Sequence, residues 1–464
     1  MKKMILATCL VALLAAAPAM AQVDLTNYVA LGDSLTAGMT SGSLMEWYQE
    51  RSYPAVLAHQ AGAPVFEQPI ISEPGIPGIL ELVSLLQDGE LRPVILPVSL
   101  IPGGPTNPLY PGIYNNLGIP GCNLYDMIFR TGDLLNFSPD NAMFDIVLRN
   151  GINTALEFAI GAQPTFMTVW IGNDDVLTAV VAATPIDGVT MTPVESFALL
   201  YNNAVGALAT TTSADIVLIN LPYSTMSPFA TSVDPFVDIP GLGRVYLMAD
   251  TGPLTEGDLV TAAGGALIAL GYGLPFGPPL PDNLNIFTGE PGYVLRPAEV
   301  EMINDRIDAF NAIIADAGDT YGFPVFDVND YFAEIASGEE LPMFGGVTLS
   351  AEFLLGGIFS YDGIHPQNIG YALVANELIQ FINAEYGDSI PQVDMAEVLF
   401  EGDWQTPGIS PAKASEVVMS AEAFQQLYKL FPPKLDKAPR IRQPDEDQSD
   451  RPAPEIRRRP MTRH

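Results

Sequence analysis

Basic residues, histidine and cysteine are all scarce in this chain of 464 residues, which holds 20 Lys and Arg, three His and two Cys. The few cations also sit at the ends. Lys2 and Lys3 open the chain and nine more follow Pro432, leaving nine across residues 22–432 against 48 Asp and Glu. That acid content is ordinary for the length, so the net charge of −34 reflects missing Lys and Arg. Without a basic stripe to neutralise phosphates, a nucleic-acid partner is excluded. A salty habitat or colloidal solubility accounts for the acidity.

The other shortages exclude further classes. Cys9 and Cys122 are the two cysteines; three histidines and so few thiols do not make a zinc site. No Gly-Lys pair exists for a Walker A loop, and Gly241-Leu242-Gly243 and Gly271-Tyr272-Gly273 lack the third glycine of a dinucleotide loop. No cofactor is therefore expected. Charged residues make up 16% and apolar residues 48%, which excludes a disordered acidic chain.

Long apolar runs are missing as well. Residues 4–17 are apolar and follow Lys2-Lys3, but the run is shorter than the roughly 18 residues that span a bilayer. With Ala19-Met20-Ala21 behind it, the order is that of a secretory signal peptide cleaved after Ala21. The expected destination is periplasmic or secreted. Cys122 is then the one mature cysteine: it either lines a site beside Gly121 or is a small buried hydrophobe, and no internal disulfide is available. Two uncharged segments, 93–125 and 259–281, are too rich in Pro and Gly for membrane helices and read as apolar loops or short elements.

Short apolar, β-branched runs recur at residues 27–31, 64–71, 165–171, 215–220 and 323–328. Helical periodicity lies between and beyond them. It is clearest over residues 297–318, where Val300, Ile303, Ile307, Phe310 and Ile314 repeat at helical spacing; residues 53–61, 143–160, 193–208, 366–385 and 411–430 are further candidates. Alternation of this kind predicts one α/β domain, a parallel sheet of about five strands with helices on both faces. That domain is expected over residues 22–390, with apolar insertions near 69–111 and 225–285, then a helical extension over 391–431. From residue 432 the composition turns to Pro, Arg, Asp and Gln, a tail expected to be disordered. Arg457-Arg458-Arg459 offers a contact to an anionic membrane surface, although a solvated tail is the plainer reading.

The first predicted strand runs into Leu31-Gly32-Asp33-Ser34-Leu35, which places a serine at the carboxyl edge of a parallel sheet, where ligands bind. Thr36 stands where a nucleophile elbow needs glycine, so this is a different turn. A serine nucleophile needs a base. His464 ends the tail and His59 sits inside a helical run, whereas His365 lies in Asp362-Gly363-Ile364-His365-Pro366, with a carboxylate three residues away to orient its ring. The alternatives are a capping serine and an Asp-Gly turn with a surface histidine.

These residues resemble the GDSL, or SGNH, hydrolases. The resemblance rests on Gly32-Asp33-Ser34-Leu35 and Asp362-Gly363-Ile364-His365-Pro366, with Asn116-Leu117-Gly118-Ile119-Pro120-Gly121 and Trp170-Ile171-Gly172-Asn173-Asp174-Asp175 between them, in the family's order from Tyr28 to about Glu385. It implies a flavodoxin-like three-layer sandwich and metal-free ester hydrolysis. It further implies Ser34 as nucleophile, His365 as base, Asp362 as its orienter, and the Ser34 and Gly121 amides as oxyanion donors. In the third block the family has Gly-x-Asn-Asp. Aligned without a gap, Asp174 falls at the donor's place; an ionised carboxylate there repels an oxyanion, so either Asp174 is protonated or a local shift brings in Asn173, the favoured reading.

The function expected is an exported serine esterase or lipase acting on lipid or other apolar acyl esters, with the two insertions forming a lid or groove. The insertions could equally pair subunits. Two alternatives stand beside it: a carbohydrate O-acetyl esterase, and a non-catalytic binding protein on the same fold.

Overall fold

A computed structural model describes residues 23–87, 90–99, 101–339, 341–400 and 417–435. The expected signal peptide, most of the basic tail and residues 411–416 of the last predicted helix lie outside the described residues.

Five strands form the central sheet: β1 (Tyr28–Gly32), β2 (Asn116–Gly118), β3 (Phe166–Trp170), β4 (Asp215–Ile219) and β5 (Val325–Phe326). Their spatial order is β2-β1-β3-β4-β5 and every pairing is parallel. This is the flavodoxin-like doubly wound order, whose direction of winding reverses between β1 and β3. Tyr28 pairs with Phe166 and Gly32 with Trp170, so the carboxyl ends of β1 and β3 are level. All residues of both strands are buried, as a sheet covered on both faces requires.

Two helix pairs flank the sheet. On one side α1 (Tyr53–Gln60) packs on α4 (Asn368–Tyr386); on the other α2 (Val194–Thr211) packs on α3 (Pro297–Tyr321). The helix α3 has Pro in its first turn, a Glu299 carboxylate taking the Arg296 amide, and Gly322 in the left-handed conformation at its end. Its Ile303, Ile307, Phe310 and Ile314 are fully buried, the stripe that the sequence period predicts.

Three expectations are revised. Residues 64–71 form no strand: this stretch lies beside β2, where the Glu67 carbonyl accepts the Asn115 and Asn116 amides. The fifth strand is instead the three residues of β2. Residues 143–160 form two helices, Ala142–Leu148 and Ala155–Gly161, broken where Arg149 takes a φ of 65°. Within 411–430 the described part opens with a short strand, Val418–Met419, and α5 spans only Ala421–Leu430.

The insertions have structure of their own. The first carries a hairpin, Leu80–Gln87 with Glu90–Pro97, onto which Val418–Met419 adds in parallel. The second holds a two-stranded ribbon, Phe236–Ile239 with Gly243–Tyr246, and a helix, Ala262–Ala269, around a small core of Leu247, Val260, Leu280 and Val294. Arg296, just before α3, ties it down through Asp258 and Asp282 at 3.1 and 2.8 Å. Among the described residues no helix is long and apolar enough to cross a membrane.

Candidate active site

At the end of β1 the chain must turn sharply into the short helix Ser34–Ala37, and Asp33 caps it by accepting the Leu35 amide at 3.0 Å. Gly32 permits the turn. A Cβ there would stand 2.2 Å from Thr36 Oγ1 and 2.3 Å from the Trp170 carbonyl oxygen, so no side chain fits between the turn and β3.

Some 330 residues further on, the loop before α4 folds onto this turn. Asp362 Oδ1 accepts the amides of Ile364 and His365, each at 2.8 Å, fixing an Asx-type turn that aims the imidazole. The segment after the Ser34 helix holds the loop in place: Gly42 N–H donates to Asp362 Oδ2 at 2.6 Å, Ser41 N–H to Ser360 Oγ at 2.8 Å, and Tyr371 OH to the Met39 carbonyl at 2.7 Å.

Between the two lie the hydrogen bonds that define the site. His365 Nε2 is 2.9 Å from Ser34 Oγ, and His365 Nδ1 is 2.8 Å from Asp362 Oδ2. Burial alone would raise the Asp362 carboxyl, but the His365 charge and the bonds from His365 and Ile364 outweigh it and hold the group below the usual carboxylate range. An ionised Asp362 fixes the proton on Nδ1 and leaves the Nε2 lone pair facing the serine. His59, by contrast, is exposed on α1 and far from this arrangement in role and burial.

The blocks after β2 and β3 reach the same edge. Gly121 has a φ of 78°, and no partner among the described residues takes its amide or that of Ser34. Asn173 donates a side-chain N–H to Asp33 Oδ2 at 2.9 Å. An Asn amide carries two N–H groups, so a second remains. Asp174 lines the adjoining cavity, as Gly121 does, and both its carboxyl oxygens are buried without a partner among the described residues. Burial, with Asp33, Asp175 and Asp126 nearby, pushes its pKa well above the carboxylate range despite an opposing effect of Lys434. Burial also raises Asp33 to about 6, against the bonds from Asn173 and Leu35.

Cys122 is wholly buried, and burial together with the surrounding carboxylates pushes its thiol up, so it packs as a small hydrophobe. The adjoining cavity has a volume of about 1930 Å³. Its walls come from the first insertion (Pro97, Pro102), from Met143, Phe144, Leu199 and Leu200, and from the end of α5 onward, including Phe431 and Lys434. The second insertion lines none of it, in contrast to the lid expected from both. Sequence reasoning gave no sign of Phe431, whose ring lies over His365 with centroids 6.3 Å apart and planes 26° from parallel. Nor did it single out the Asp33–Asn173 bond, although both residues stand inside the recognised blocks.

Residues 28–378 match the family model of GDSL-like lipase/acylhydrolase, and the chain belongs to that family of ester hydrolases. Solved structures similar to it include an extracellular lipase from Streptomyces rimosus, 13% identical, covering 76% of this chain and 98% of that one with a TM-score of 0.33. A phospholipase A1 from Streptomyces albidoflavus is 14% identical over the same shares, with a TM-score of 0.32. An acetyl xylan esterase is 13% identical, again over 76% and 98%, with a TM-score of 0.31. No curated protein matches the chain.

Proposed function

We propose that this protein is an exported serine esterase that cleaves carboxylic esters of apolar acyl groups through an acyl-enzyme. The observation that carries the reading is the continuous chain from Ser34 Oγ through His365 to Asp362, at 2.9 and 2.8 Å. As the Ser34 oxygen attacks the ester carbonyl carbon, its proton passes to His365 Nε2, and Asp362 stabilises the imidazolium through the Nδ1 proton. Negative charge develops on the carbonyl oxygen, which accepts from the Ser34 and Gly121 amides and from the free N–H of Asn173. Collapse breaks the bond to the alcohol, which leaves with the Nε2 proton. Water then repeats the sequence on the acyl-serine, giving a proton to Nε2, releasing the acid and returning the proton to Ser34.

An apolar acyl group suits the adjoining cavity, whose walls include Pro97, Met143, Phe144, Leu199 and Leu200. Export rests on the order of charged, apolar and small residues from Met1 to Ala21. To test the mechanism, the enzyme is mixed with a p-nitrophenyl ester, quenched in acid and digested. The acyl group is expected on the peptide containing Ser34; p-nitrophenol released with the acyl group on another residue would overturn the assignment.

A further inference from the structure

The catalytic residues are closed off. Ser34 is 3% exposed and His365 and Asp362 are at 0%. Phe431, itself 2% exposed, packs beside the imidazole with ring centroids 6.3 Å apart. Its neighbour Leu430 packs against Gly121, where an added Cβ would meet the Leu430 carbonyl oxygen at 2.6 Å. One segment therefore touches both the base and Gly121.

That segment is anchored along its length. Val418–Met419 pairs with the hairpin of the first insertion, and the Ser420 amide donates to the Ile95 carbonyl at 2.9 Å. From α5, Gln426 Nε2 donates to the Gly78 carbonyl at 2.7 Å, and Tyr428 OH to the Gly289 carbonyl at 2.8 Å. Beyond Phe431 the Lys434 amide donates to the Val189 carbonyl at 2.9 Å. Phe431 also lines the large cavity, whose walls include neither Ser34 nor His365. Its ring thus borders both the cavity and the His365 imidazole.

We propose that residues 417–435 form a closing strap: Phe431 stands between the cavity that takes the substrate's apolar group and Ser34, and the enzyme is latent until the strap is displaced. The inference rests on the serine-esterase reading and assigns Phe431 the role of setting access and fit at that site. A closed state in equilibrium with an open state populated at about 0.1–10% slows every reaction of Ser34 by the same fraction.

The test uses the full chain and an alkyl fluorophosphonate that labels the serine. The second-order labelling rate is compared for the wild type, Phe431→Ala and Tyr428→Phe, with Ser34→Ala as the blank and circular dichroism as the check on folding. Phe431→Ala is expected to label about 10- to 1000-fold faster than the wild type, the range set by that open fraction. Tyr428→Phe, which loosens the strap without touching the triad, is expected to label faster by a smaller factor, and it carries the test alone if Phe431→Ala does not fold. Wild type labelling as fast as the folded variants, with Ser34→Ala blank, overturns the strap and leaves the esterase standing. No labelling in any folded variant overturns both.

Discussion

The side-chain amide of Asn173 donates to Asp33 Oδ2 across the winding reversal between β1 and β3, at 2.9 Å. Through it the aspartate next to Ser34 orients an amide from the turn after β3. The proposed mechanism gives the donor's role to Asn173; its neighbour Asp174 lines the adjoining cavity, and burial pushes its carboxyl well above the usual range. Asn173→Ala is expected to lower kcat by about 10²- to 10³-fold, the usual cost of one preorganised oxyanion donor. Asp174→Asn keeps the shape of the side chain and should leave kcat within a few-fold. A large gain in Asp174→Asn would instead place the donor at residue 174.

Asp362 accepts from His365 Nδ1, from Gly42 N–H and from two amides of its own turn. Asp362→Asn removes the charge that stabilises the imidazolium and fixes the wrong tautomer, so kcat is expected to fall by about 10⁴-fold, as such changes do in Ser-His-Asp hydrolases. Because its folded pKa is depressed, the stability that Asp362 contributes is present above the unfolded carboxylate value near 3.9 and is lost as pH falls through the lower folded value. Equilibrium unfolding of wild type and variant between pH 2 and 6 checks the sign.

Asp175 has the opposite sign. Burial raises it to about 6, although Oδ1 accepts from Thr192 Oγ1 at 2.6 Å and Oδ2 from the Leu124 amide at 2.8 Å. A raised carboxyl contributes stability below its unfolded pKa and loses it as pH rises through the folded value. Asn at this position can accept from Leu124 and donate to Thr192. The Asp175→Asn variant is therefore expected to match the wild type near pH 3.5, to gain from pH 4 to 6, and to level off above that. The gain at neutral pH has a ceiling on the order of 3 kcal/mol, from the distance between the two pKa values. Thermal melts across that range read it directly.

Gly32 has no room for a methyl group between Thr36 and β3. Gly32→Ala is expected to destabilise the protein by about 1–3 kcal/mol or more and to displace Ser34, since the clash is with the Trp170 backbone as well as with the Thr36 side chain. A melting temperature and kcat both at wild-type values would contradict the tight turn.

How much of this was legible in the sequence depended on whether the signal was local. The runs that became β1, β3 and β4 are β-branched, apolar and five residues long, and the apolar period of α3 gives its buried face directly. The strand β2 is three residues, Asn116–Gly118, inside an uncharged stretch rich in Pro and Gly; it has no alternation to read and is held by its neighbour β1. Residues 64–71 carry a strand-like composition but are committed to supporting β2 through the Glu67 carbonyl. Ser34, His365 and Asp362 were legible because each stands in a short block with its own turn chemistry, and histidine is scarce. The position of Phe431 was not: it comes from a contact 66 residues beyond His365 that leaves no local pattern.

The most direct test of the central claim is hydrolysis of a p-nitrophenyl ester series, from acetyl to long acyl chains, by the full chain and by Ser34→Ala. The account predicts turnover that is greater for chains longer than acetyl and is lost in Ser34→Ala with the fold intact by circular dichroism. Turnover that survives in Ser34→Ala would contradict it.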